Sequence, residues 1–214
     1  MTDLQSLFKK TMASLNGSSK NYPLVNVTSQ IDGRTYKVRD MSDKAEAADL
    51  LANVRLKIVR LYSTLKEKFP NKPQIRQWVQ NFTPDPNRFE EATPDAEHTS
   101  YSVNKGEKVH LCLRHREGQN ESLVDENVMF FVSLHEMAHM ITSSIGHGQD
   151  FWNNFGFLLR EAEQQGFYKH QDFKSQPVTY CGVSITDAPS YDPQKDGEIS
   201  KEGFQIGTIT PTSR

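Results

Sequence analysis

The sequence predicts an α+β domain, a small sheet with several packed helices, and three observations carry that class. Residues 34–39 and 108–113 alternate apolar and polar side chains, the period of a half-buried strand. From Ser42 the pattern changes, and Ala47, Leu51, Val54, Ile58, Leu61 and Leu65 follow one another at intervals of four and three, the spacing of one helix face. Residues 125–145 and 150–165 are rich in apolar residues at helical spacing, and they predict two more helices.

Taken in order, the first thirty residues are rich in Ser, Asn and Thr, and residues 1–33 are expected to be a weakly ordered basic arm. Residues 34–185 are expected to form the domain, and residues 186–214, full of Pro, Asp, Gly, Ser and Thr, an irregular tail. Within the domain, Pro70 follows the end of the first helix, a shorter helix spans residues 74–81, and Thr83-Pro84-Asp85-Pro86 is a turn-rich connector. Residues 99–116 read as a hairpin: Ser100 to Val103, a turn at Asn104-Lys105-Gly106, then residues 108–113 with Val109, Leu111 and Leu113 on one face. A further strand is expected within residues 178–185.

The composition narrows the class of function. No apolar run approaches the roughly 20 residues of a membrane helix, and the first twenty residues hold no apolar core of signal-peptide length. The expectation is an intracellular protein, in cytoplasm or nucleus, that is neither secreted nor membrane-bound. Cys112 and Cys181 stand far apart and fit no C-x-x-C spacing, which argues against a disulfide framework or a cysteine zinc ribbon. Cys112 is expected to be a small buried hydrophobe in a reduced setting. The net charge is −2, but residues 1–39 hold six Lys/Arg against two Asp. That arm is compatible with a weak contact to DNA, although a solvated tail has the same composition.

The chemistry concentrates in His135-Glu136-Met137-Ala138-His139. Residues four apart on an α-helix share a face, so His135 and His139 present two imidazoles to one point, a clamp for a metal such as zinc. Glu136, turned by about 100° around the helix, borders that point without being a ligand, and can take a proton from a water that the metal activates. Asp125 is a suitable N-cap for this helix, and Phe130, Leu134, Met137 and Ile141 make it apolar on most sides. Two histidines on a helix buried in this way need partners there. The third ligand has two sources in the sequence. His147, flanked by Gly146 and Gly148, can turn back toward the helix end; Glu161 or Glu163 on the next helix lies at about the right remove from His139 for a glutamate ligand. The apolar face defined by Phe151, Phe155, Leu158, Leu159 and Ala162 leaves both glutamates at its margins and favours His147. Tyr101 and Tyr180 could stabilise an oxyanion, with packing as the commoner use of a tyrosine. His98, His110, His115 and His170 show no matching spacing.

The run Leu134-His135-Glu136-Met137-Ala138-His139, followed by Gly146-His147-Gly148-Gln149-Asp150-Phe151-Trp152, resembles the zinc peptidases of the WLM and SprT-like group. Residues 101–114 and Tyr180-Cys181-Gly182 look most like metallopeptidases encoded by large double-stranded DNA viruses. The resemblance implies a zincin-like fold with one Zn²⁺ per chain, His135, His139 and His147 as metal ligands, Glu136 as catalytic base, and residues 108–113 as an edge strand that takes up substrate backbone by strand addition. It also implies protein or peptide substrates, some of them DNA-associated, and a host-cell location if the chain is viral. Two rivals from other classes are a non-catalytic interaction protein stabilised by zinc and a metal-dependent amidase of non-peptide substrates. Glu136 speaks against the first, since a structural zinc site has no use for it.

Overall fold

The computed structural model describes residues 21–117 and 121–191. Their strands and helices follow the order β1 (Leu24–Thr28), β2 (Thr35–Arg39), α1 (Lys44–Lys68), α2 (Pro73–Asn81), β3 (Phe89–Glu91), β4 (Tyr101–Val103), β5 (Lys108–Leu111), α3 (Glu126–Ile141), α4 (Gln149–Gln164), β6 (Val178–Tyr180) and β7 (Val183–Ile185). A short 3₁₀ turn, Pro86–Arg88, leads into β3. The sheet order is β1-β2-β3-β5-β4, with β6 and β7 forming a separate hairpin. The class is mixed α+β, as the sequence predicts. No helix among the described residues is long and apolar enough to cross a membrane.

The helical stripe of α1 is its buried face: Ala47, Leu51, Val54, Ile58, Leu61 and Leu65 are all fully enclosed. It packs on β1, β2 and β3, and Lys66 and Lys68 in its last turn suit the negative end of the helix dipole. In α2, proline starts the helix and Ile75 and Trp78 carry its burial. The Asp125 carboxylate accepts the Val128 N–H at 3.0 Å, which caps α3 as expected. That helix stops at Ile141, short of the predicted end. The reason is Thr142, whose hydroxyl donates back to the Ala138 carbonyl at 2.7 Å while accepting a hydrogen bond from the Asn154 amide of α4 at 2.9 Å.

Several expectations need correction. Residues 24–28, placed by the sequence in a weakly ordered arm, form β1, which pairs antiparallel with the whole of β2. Alternation at Val25 and Val27 outweighs the polar composition around it, and Val27 packs against the core. Residues 1–20 of the arm and 192–214 of the tail lie outside the described residues. The expected edge strand β5 is interior: it pairs in parallel with β3 and antiparallel with β4. The edge is therefore β4, and strand addition at β5 is excluded. Finally, Cys112 and Cys181 are joined in a disulfide across 69 positions, their Cα atoms 6.5 Å apart. The expectation of two unpaired cysteines fails because β6 and β7 fold back onto the end of β5, a long-range contact that no local spacing announces. The hairpin turn puts Cys181 and Gly182 in the left-handed region, at φ +50° and +83°.

Candidate metal centre

Helix α3 brings its motif into the core rather than to the surface: His135 is fully buried, Glu136 is 3 % exposed, and His139 is partly open. His147 reaches the same point from the loop between α3 and α4. Gly146, at φ +90°, adopts a left-handed backbone that favours glycine, and Gly148 stands in the N-cap position of α4. The hydroxyl of Ser144 donates to Asp150 at 2.5 Å and ties that loop to the first turn of α4.

The three rings form a nearly regular triangle, with centroids 4.8 Å apart for His135 and His139, 5.1 Å for His135 and His147, and 4.9 Å for His139 and His147. One nitrogen from each lies within 4.8 Å of the other two. Tetrahedral zinc, with nitrogen at about 2.1 Å, sets its ligand atoms roughly 3.4 Å apart, so small ring rotations close the difference. Phe151 of α4 underlies the triangle, its ring centroid 4.8, 4.4 and 4.6 Å from His135, His139 and His147. Phe155 flanks His135 at 5.3 Å and Trp152 flanks His147 at 5.9 Å.

Burial sets the charge state. It drives the His135 imidazole well below its usual range, helped by His139 and His147, and lowers His139 to about 3, helped by His147 and Lys105. A neutral imidazole keeps a nitrogen lone pair for a cation, and three histidine side chains match the donor set of a catalytic zinc site. By its donor chemistry and spacing the cluster fits zinc. Burial also pushes Glu136 up to about 8, opposed by hydrogen bonds from the side chain and the backbone of Ser102.

The other candidates lie elsewhere. Glu161 is buried against Lys68 at 3.1 Å and Arg160 at 3.0 Å, and Glu163 accepts the Tyr191 hydroxyl at 2.6 Å. Neither joins the triangle. Tyr180 lies near Glu136, but its hydroxyl donates to the Cys112 carbonyl at 2.7 Å and contacts Ser100 at 3.0 Å, so it is tethered rather than free for an oxyanion. Tyr101 stacks on His110 at 4.4 Å, and His98 meets its edge. His110 pairs with Glu90, His115 with Glu117, and His170 contacts Tyr191. Sequence reasoning missed Ser102 and the place of Phe151 beneath the rings. Phe151 was legible as apolar; no spacing relates Ser102 to the motif.

The WLM domain family model matches residues 86–211. The chain is 32 % identical over 164 residues to "Uncharacterized protein R325" of Acanthamoeba polyphaga mimivirus, spanning 74 % of this chain and 81 % of that one. It is 35 % identical over 82 residues to "Uncharacterized protein 136R" of Invertebrate iridescent virus 6, covering 38 % of this chain and 44 % of the relative. Among solved structures, Wss1 from Saccharomyces cerevisiae matches with a TM-score of 0.44 and 22 % identity, over 60 % of this chain and 89 % of that one.

Proposed function

The chain belongs to the WLM domain family, a family of metallopeptidases, and we propose from that premise that it is a zinc-dependent peptidase acting on protein substrates. His135, His139 and His147 would hold one zinc ion, and Glu136 would serve as the base. The observation that carries this reading is the convergence of three imidazoles beside a buried carboxylate that is not one of their number. Zinc in that position supplies polarisation of the scissile carbonyl and a lowered pKa for water.

The chain's own residues do the rest. Glu136 takes a proton from the attacking water and delivers it to the departing amine; a carboxyl group that burial holds near neutrality can do both. Phe151, Phe155 and Trp152 wall the imidazoles and limit water beneath them. A purely structural zinc site would need no Glu136, which weighs against a non-catalytic role. Action on DNA-associated proteins through the basic residues 1–39 belongs to the same reading.

One experiment addresses these parts together: metal analysis of the purified chain, with casein cleavage and autocleavage measured with and without single-stranded DNA. One equivalent of zinc with chelator-sensitive cleavage is expected. A metal-free protein, or a zinc protein inert toward casein and itself, would count against the proposal.

A further inference from the structure

An isoleucine side chain left in water forgoes the stabilisation that its burial would bring. Among the described residues, the large apolar side chains that stay exposed are Ile31, at 48 %, and Ile145, at 92 %. Ile31 is half covered, at the turn between β1 and β2. Ile145 is almost bare, and it stands in the loop that carries His147, two positions before that histidine.

The loop is pinned on either side of it. Before it, the Lys105 ammonium donates to the Thr142 carbonyl at 3.1 Å, and the Ser143 hydroxyl donates at 3.1 Å to the side chain of Gln77, whose amide donates to the Met140 carbonyl at 3.0 Å. Ser144, the immediate neighbour, donates to Asp150 in the first turn of α4. After it, Gly146 turns the chain through the left-handed region and His147 enters the triangle. Ile145 is thus held out in solvent by a fixed loop rather than left there by a loose one.

Its place relative to the triangle follows from chain geometry. Two residues span at most about 7 Å, so the Cα atoms of Ile145 and His147 lie no further apart than that. Solvent reaches the triangle at His139 and His147, which are partly open, and not at His135, which is enclosed with Phe151 and Phe155 against it. An extended polypeptide whose scissile bond sits at the triangle advances about 3.3 Å per residue, which brings the side chains beside that bond within reach of Ile145.

We infer that Ile145 is a specificity-determining residue: it packs against an apolar side chain beside the scissile bond, and the substrates are polypeptides with an aliphatic or aromatic residue there. The inference rests on the reading of the triangle as a peptidase centre and names the substrate class of that centre. The surroundings of Ile145 select an apolar partner. Ser143 and Ser144 give their hydroxyl protons to Gln77 and Asp150, and a glycine follows, so this point of the loop offers nothing to answer a charge. One apolar contact of this size supports roughly ten-fold discrimination between substrates.

The test uses the full-length, zinc-loaded chain with Ile145→Ser and Ile145→Leu, the second of which keeps an apolar side chain. Dye-labelled peptides that differ only in carrying Leu, Phe or Ser at one position are compared in kcat/KM, with cut sites read by mass spectrometry, and zinc content is measured. Binding of the same peptides to Glu136→Gln protein, zinc-loaded and zinc-free, with and without Ile145→Ser, is followed by fluorescence anisotropy. Wild type should cut peptides with Leu or Phe beside the cut site about ten-fold better in kcat/KM than those with Ser. Ile145→Ser should lose that preference, keep its zinc, and cut the Ser peptides within about two-fold of wild type, while Ile145→Leu restores the preference. The anisotropy should show the same loss in Kd. A preference unchanged in Ile145→Ser, a leucine variant as impaired as the serine, or loss of zinc in either variant would overturn the role of Ile145. A wild-type chain that holds zinc and cuts no peptide would instead sink the peptidase reading. The anisotropy then decides alone: an apolar preference that depends on Ile145 upholds the contact, and its absence overturns it.

Discussion

Acidifying the zinc-free chain from pH 7 to pH 5 sets two neighbouring groups against each other. The folded state holds His139 at about 3, below its ordinary 6.5. Between those values the unfolded chain binds the proton and the native chain does not, so stability falls as pH drops; at pH 5 this amounts to about 2 kcal/mol. Glu136 works the other way. Its folded value, about 8 against an ordinary 4.5, means that the native state takes the proton first, and stability rises by about 2 kcal/mol over the same interval. The two contributions nearly cancel, and His135, lowered in the same direction as His139, adds to the loss. Wild-type protein stripped of zinc should therefore lose stability on acidification in urea denaturation, but by less than the two histidines alone would cost. Glu136→Gln removes the opposing carboxyl and should lose at least about 2 kcal/mol between pH 7 and pH 5. If that variant loses no more than wild type, or gains stability on acidification, the charge states assigned to His135, His139 and Glu136 are wrong.

Other outcomes are equally open to measurement. Glu136→Gln should abolish casein cleavage yet retain one zinc per chain by metal analysis, because the residue is not a ligand in this reading. His147→Ala should lower zinc affinity sharply in a chelator competition, whereas Glu161→Ala, which breaks contacts with Lys68 and Arg160, should leave affinity nearly unchanged. Arg114, buried against Glu91 and Asp43, joins the sheet to the start of α1; Arg114→Ala takes the charged partner from both carboxylates, leaving Glu91 only the Arg39 N–H, and should cost about 3 kcal/mol in denaturant titration. Reducing the Cys112–Cys181 bond, which spans 69 positions, should cost about 4 kcal/mol on loop-entropy grounds, read as a lower urea midpoint in dithiothreitol.

What the sequence made legible follows the range of its signals. Two histidines four apart, a cap at Asp125 and a glycine-flanked His147 all act within one helix and its exit, and the structure does gather these three imidazoles. The stripe of α1 was legible for the same reason. The three-residue strand β3 was not, since it is too short to alternate and its parallel partners leave no turn signature between them. Placing β5 at the edge followed from missing β3. Ser102 escaped because its partner is set by the register of a sheet, and Cys181 because its partner is set by the docking of a hairpin.

The bond between Cys112 and Cys181 also has a topological meaning. Helix α3, the loop bearing His147 and helix α4 all fall inside the covalent ring that it closes. A peptide bond cut anywhere in that interval leaves the two fragments tethered, with no change in apparent size on a gel run without reductant. Should the protein nick itself there, the cut would stay hidden until a thiol opened the ring, and only then would the pieces part.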